Sequence, residues 1–148
     1  MSTPLRVMLI DDEPIVGKRL GPVLEKMGCQ TETFVEPAVA LNRLAEQEFD
    51  VVVTDIRMEE VDGIGVLERV KALSPRTKVI MITGYATLEV AHEALAKGAF
   101  DFIAKPFEPR DMRQAVAKAA EALGLQMPEA AALMVEEILL TEESGLPE

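Results

Sequence analysis

Apolar residues along this chain come in two alternating patterns, short continuous runs and helical stripes. The runs fall at 5–10, 30–34, 50–54, 78–83 and 101–104. Each is short and rich in Val, Ile, Phe or Thr, the composition of buried strands. Between them, apolar residues recur three and four positions apart, as on one face of a helix. Val16, Leu20, Val23, Leu24 and Met27 form one stripe, and Ala38, Leu41, Leu44 and Ala45 a second. Leu67, Val70 and Leu73 form a third, Val90, Ala91, Ala94 and Leu95 a fourth, and Met112, Ala115, Val116, Ala119 and Leu123 a fifth. The punctuation agrees. Pro14 suits a first helical turn, where its missing N–H costs nothing. Gly28 and Gly98 suit the left-handed residue that stops a helix, and Asp62-Gly63 reads as a turn. Five strands alternating with five helices predict an α/β fold, with a parallel sheet covered on both faces and right-handed crossovers.

Past Leu123 the pattern changes. Residues 124–128 read as a short linker, and about 129–141 as one more helix. With Leu133, Met134, Val135, Ile138, Leu139 and Leu140, that helix is too apolar to stand free in water. Two readings stay open: packing on its own domain, or dimerisation and partner docking. The acidic stretch 142–148, with Gly and Pro, is expected to fray. The expected organisation is a domain over 4–123 and an appended linker, helix and tail over 124–148.

At 148 residues, 49% of them hydrophobic, the chain can bury a substantial core. Its net charge of -11 argues against direct binding to a nucleic-acid backbone, which needs clustered Lys and Arg. The one cysteine, Cys29, excludes an internal disulfide and any Cys-based zinc site, and reads as a small buried residue. Met1-Ser2-Thr3-Pro4 begins no signal segment, and no apolar run approaches the ~20 residues that span a bilayer. The expectation is a soluble cytoplasmic protein without a membrane partner.

Chemistry enters where the strands end. Asp11 and Asp12 follow the first run, Asp55 the third, Thr83 ends the fourth and Lys105 the fifth. Open parallel sheets bind ligands at the carboxyl ends of their strands. Three carboxylates there make an oxygen-rich pocket suited to Mg2+ and phosphate chemistry. Asp55, the single central acid, is the candidate nucleophile, since a carboxylate can attack phosphorus and form an acyl phosphate. Asp11, Asp12 and Asp55 can hold the metal, directly or through water. Lys105 balances charge on phosphoryl oxygens, and the Thr83 hydroxyl can donate to one of them. Two like charges about 4 Å apart repel by roughly 4 kcal/mol at an effective dielectric of about 20, so the cluster needs cations. The plainer reading of each acid alone is a solvated loop residue, with Asp12 or Glu13 capping the helix near Pro14. The set in this order is far harder to explain that way.

These residues, Asp11-Asp12, Asp55, Thr83-Gly84 and Lys105-Pro106-Phe107, resemble the signature of response-regulator receiver domains of two-component signalling. The stretches 81–87 and 98–107 are similar to receivers of the NtrC-like class, and the resemblance covers about residues 4–123. It implies a doubly wound, five-stranded sheet of order 2-1-3-4-5. It implies phosphoryl transfer to Asp55 from a sensor histidine kinase or phosphotransfer protein, with Mg2+ as cofactor. It adds the backbone carbonyl of Arg57 as a metal ligand, a cis Lys105-Pro106 bond, and a switch in which Thr83 moves and Phe102 turns inward. Phe102 lacks a hydroxyl and so can bury fully. The output implied is a changed face over helix 86–97, strand 101–104 and helix 109–123, available to a homodimer or downstream protein. Arg57 and Tyr85 occupy the positions that tune dephosphorylation in the family, and Tyr85 is bulky enough to shield the acyl phosphate. Where the family usually has Pro four residues after the phosphorylated Asp, this chain has Glu59, beside Glu60.

Other functions compete less well. A haloacid-dehalogenase-type phosphatase would carry Asp-x-Asp after the first strand, where this chain has Asp11-Asp12-Glu13. A flavodoxin-like cofactor binder would need a Ser/Thr/Gly-rich phosphate loop there. His92, the sole histidine, sits in a helical stretch and builds no catalytic triad. A receiver that binds without being phosphorylated, or one detached from a transcription-regulator output domain, remains open, since nothing here resembles an ATPase or a DNA-binding helix.

Overall fold

A computed structural model describes residues 4–56, 62–84 and 88–125. The elements are β1 (Arg6–Ile10), α1 (Pro14–Lys26), β2 (Gln30–Phe34), α2 (Pro37–Glu46), β3 (Val51–Asp55), α3 (Gly63–Leu73), β4 (Lys78–Thr83), α4 (Leu88–Ala96), β5 (Asp101–Ala104) and α5 (Pro109–Ala122). The strands form one parallel sheet in the order β2-β1-β3-β4-β5. The alternating order of elements and the strand order are those expected.

Two cores sandwich the sheet. Val7, Leu9, Val51, Val53, Ile80 and Ile82 face α1 and α5, where Leu20, Leu24, Met112 and Val116 meet them. Met8, Ile10, Val52, Val79 and Met81 face the other way, onto Ala40, Leu44, Leu67, Val70 and Ala94 of α2, α3 and α4. Successive strand residues point to opposite faces, so a central strand covered on both sides has no polar face. All five residues of β3 are buried accordingly. Each fully buried Val or Leu contributes roughly 1.5–3 kcal/mol relative to exposure, which makes this centre the most firmly held part of the fold.

The edges depart from the expectation of buried strands. No residue of β2 is fully buried, and β5 is half-buried with Ala104 exposed. An edge strand has a neighbour on one side only, and β2 (Gln30-Thr31-Glu32-Thr33-Phe34) carries polar groups to match. Glu32 uses one of them, receiving both Nε (2.8 Å) and Nη2 (3.0 Å) of Arg43 and so tying β2 to α2. Four predicted stripe residues also stay outside the core, Ala38 and Ala45 of α2 among them. Leu73, at the last position of α3, is 49% exposed, as is Leu95 of α4.

Gly28 (φ 92°) and Gly98 (φ 103°) adopt the left-handed conformation expected past the ends of α1 and α4. Asp62-Gly63 does not form the expected turn. Asp62 is the N-cap of α3, its Oδ1 accepting from the Ile64 N–H at 2.8 Å, and Gly63 is the first helical residue. The predicted helix over 129–141 and the tail after it lie outside the described residues.

Candidate functional site

The acids are placed by backbone pairing at the carboxyl edge of the sheet. The Asp11 N–H donates to the Phe34 carbonyl at 3.0 Å, extending the β1–β2 ladder by one residue. Its side chain then turns back, Oδ1 accepting from the Glu13 N–H at 2.9 Å. This reverses the capping expectation. Glu13 is the N-cap of α1 by position, yet its side chain makes no capping hydrogen bond; Pro14 follows at the first helical position. Asp55 closes β3 opposite Ile82, and the Ile56 N–H continues the ladder to the Ile82 carbonyl at 3.0 Å.

Lys105 arrives from the far edge. Thr83 pairs with Ala104, and the Lys105 N–H donates to the Thr83 carbonyl at 2.7 Å before a cis Lys105-Pro106 bond turns the chain. The Lys105 ammonium then donates to Asp55 Oδ2 at 2.8 Å and to Asp11 Oδ2 at 3.1 Å. The two acids are 4% and 3% exposed, so this cation is shared between two nearly buried carboxylates. Glu13 Oε1 approaches the same ammonium at 3.5 Å. Sequence reasoning weighed Glu13 only as a cap; its position next to Asp11-Asp12 was the available signal for more.

Electrostatics follow from burial. Desolvation pushes the Asp11 carboxyl above its ordinary range; the Asp55 charge adds to this, while the Glu13 N–H and Lys105 oppose it. Burial by itself would lower the Lys105 ammonium. The hydrogen bond to Asp55 and the charge of Asp11 outweigh that and hold it above its ordinary value. Lys105 is therefore a permanent cation at neutral pH.

Asp11, Asp12 and Asp55 each offer a carboxylate oxygen within 4.8 Å of the others. Opposite ligands of an octahedral Mg2+ stand about 4.2 Å apart at roughly 2.1 Å per bond. The cluster is thus only slightly wider than that shell, and all its donors are hard oxygens. The residues present fit the ion.

Gly63 is a site residue that sequence reading treated only as a turn. A Cβ there would overlap the Asp55 carbonyl oxygen and stand 2.6 Å from Ile56 Cα. Only a glycine lets the start of α3 lie against the backbone of the candidate nucleophile. Thr83 is wholly buried at the end of β4. Phe102 lies opposite Met81 on β5 and packs against the α2–α4 core, half-buried rather than fully so. His92 is exposed on α4. Arg57, Glu59, Glu60 and Tyr85 lie outside the described residues. No helix among the described residues is long and apolar enough to cross a membrane.

Known proteins share both the sequence and the fold. A family model for the response regulator receiver domain matches residues 7–117. The regulatory protein AtoC of Escherichia coli is 38% identical over 121 residues, covering 82% of this chain and 26% of AtoC. The response regulator PilR of Pseudomonas aeruginosa is 35% identical over 137 residues, covering 93% of this chain and 30% of PilR. This chain therefore spans less than a third of the length of these curated relatives. Among solved structures, a beryllofluoride-activated NtrC4 receiver domain dimer is 32% identical with a TM-score of 0.77, covering 80% of this chain and 98% of that one. A CheY-like receiver domain from Methanospirillum hungatei is 28% identical with a TM-score of 0.79, covering 82% and 98%. The five-stranded order, the acid cluster at its carboxyl edge and the matched span agree: this chain belongs to the receiver domains of two-component response regulators, with regulators of the NtrC family as its relatives.

Proposed function

We propose that Asp55 accepts a phosphoryl group from a phosphohistidine of a sensor histidine kinase or phosphotransfer protein. The observation that carries this reading is the Lys105 ammonium held between Asp55 and Asp11 at 2.8 and 3.1 Å. In the transfer, an Asp55 carboxylate oxygen forms a bond to phosphorus. The phosphorus–nitrogen bond breaks, and its electron pair returns to the donor imidazole. Lys105 holds positive charge beside the transferred oxygens, and Thr83 donates its hydroxyl to one of them. Asp11, Asp12 and Asp55, with the backbone carbonyl of Arg57, would hold Mg2+, which would supply charge to offset the acids and the incoming phosphoryl group.

Readout in this proposal runs through Thr83 and Phe102 to α4, β5 and α5, which then meet a second copy or a downstream protein. Arg57 and Tyr85 set how quickly water removes the phosphoryl group. The phosphoacceptor unit spans 4–123, followed by an appended segment over 124–148, and it works in the cytoplasm. The chain acts as a signalling module that catalyses its own modification rather than as a turnover enzyme.

Incubation with Mg2+ and acetyl phosphate, followed by intact mass measurement, tests this. A single phosphoryl adduct is expected, lost in Asp55→Asn and in chelator. No adduct with either acetyl phosphate or phosphoramidate would instead favour a receiver that binds without phosphorylation.

A further inference from the structure

We propose that Glu13 is a selectivity residue at the rim of the acid pocket, set to disfavour small anionic phosphodonors. This rests on the phosphoacceptor function given above and adds the class of donor against which the site discriminates. Three observations carry it.

The first is a side chain diverted from its local task. Glu13 is the N-cap of α1, with extended backbone (φ -90°, ψ 108°), yet its side chain makes no capping hydrogen bond. Ser, Thr, Asp and Asn are the residues that cap well. The start of α1 forgoes that stabilisation, and local rules are ordinarily broken where function competes with stability.

The second is where the side chain goes instead. Glu13 Oε1 stands 3.5 Å from the Lys105 ammonium, which also donates to Asp55 Oδ2 at 2.8 Å and to Asp11 Oδ2 at 3.1 Å. The Glu13 N–H donates to Asp11 Oδ1 at 2.9 Å. Glu13 thus engages both Lys105 and the acid beside it. Its backbone orients Asp11, and its carboxylate draws on the one cation that would meet a phosphoryl group.

The third is graded exposure. The side chains of Asp11 and Asp55 are 1% and 6% exposed, that of Lys105 22% and that of Glu13 64%. This ranks the four from the floor of the pocket to its rim. A phosphoryl group approaching Lys105 from solvent meets the Glu13 charge before the buried ones.

These positions fix a sign. Glu13 repels an incoming anion and cancels part of the Lys105 field that would attract it. The penalty grows with the charge of the donor. A free donor has only its own few contacts to offset it. A phosphohistidine carried on a protein offsets it with contacts made away from the reacting atoms.

Two small donors of different charge test this. With acetyl phosphate, an Asp55 oxygen bonds to phosphorus, the bridging phosphorus–oxygen bond breaks, and its electron pair leaves with acetate. With phosphoramidate, the phosphorus–nitrogen bond breaks and its pair leaves with ammonia. Near neutral pH the first donor is a dianion and the second a monoanion. At Mg2+ concentrations that saturate each form, Glu13→Gln should raise the acetyl phosphate rate constant roughly two- to fivefold, the worth of one exposed charge interaction. The phosphoramidate rate constant should rise by a smaller factor, and high salt should shrink both factors. Glu13→Ser should label as fast as Glu13→Gln and melt no lower than wild type, because serine can cap α1. That variant separates the charge effect from any folding defect. Equal factors for the two donors, or a slower Glu13→Gln, would overturn the inference while Asp55 labelling stands. No adduct in any form, as in Asp55→Asn, would overturn the phosphoacceptor function and this inference with it.

Discussion

The acid pocket and helix α4 stand on the same sheet but are held in opposite ways. Asp55 ends a strand whose five residues are all buried, and β1 and β4 flank it on either side. Helix α4 buries only Ala94, leaving Leu88 73% and Leu95 49% exposed. Its partner strand β5 is the shortest of the sheet and lies at its edge. Many buried contacts make a region costly to move, and few make it cheap. The difference teaches where each job can sit. Charge chemistry needs fixed distances, which the centre supplies. In the function proposed above the shape change falls at the α4–β5 edge, where fewer buried contacts make movement least costly.

The contrast can be broken by mutation. Leu67, wholly buried behind β3, should cost about 2–5 kcal/mol as Leu67→Ala, measured by urea unfolding. Next in size is Lys105→Met. Removing one partner of a buried ion pair costs about 3–5 kcal/mol; with Lys105 22% exposed, about 2–3 kcal/mol is expected in chelator. Added Mg2+ should recover much of that loss, as a melting curve would show. A variant as stable as wild type in chelator would mean that the pocket is far less strained than its geometry implies.

A pH titration sharpens the same point. The folded Lys105 ammonium loses its proton above its ordinary value of 10.5, because Asp55 and Asp11 hold it. Its stabilising contribution is therefore full below about 10.5 and is lost as pH rises toward the folded value. Wild type should lose stability on that alkaline limb, and Lys105→Met should lose less. The smallest effect belongs to α4. Leu95→Ala, half out in solvent, should change stability by less than about 0.5 kcal/mol. A cost comparable to that of Leu67→Ala would erase the contrast.

What sequence could reveal follows the same division. The run Val51–Thr54 announced a doubly covered strand because both of its faces are apolar. Asp11, Asp55 and Lys105 were legible because strand ends in a parallel sheet converge on one edge. Thr83 was legible in place, at the buried end of β4. Leu73 and Leu95 were misread as core because periodicity marks a face without saying how much lies opposite it. The reversal of roles at Asp11 and Glu13 was invisible, since which carboxylate accepts a given N–H is decided by tertiary geometry. Gly63 was read as a flexible turn; its need for close approach to Asp55 appears only once α3 and β3 are in place.

That glycine carries one more consequence. Besides its contact with the Asp55 backbone, its N–H donates to the Ile56 carbonyl at 2.7 Å, so both ends of the segment 57–61 are pinned together. The backbone after Asp55 is thereby fixed against the start of α3. In the function proposed above, where Arg57 helps set the lifetime of the phosphoryl group, Gly63 keeps changes of side chain at that position from displacing the acid that receives it.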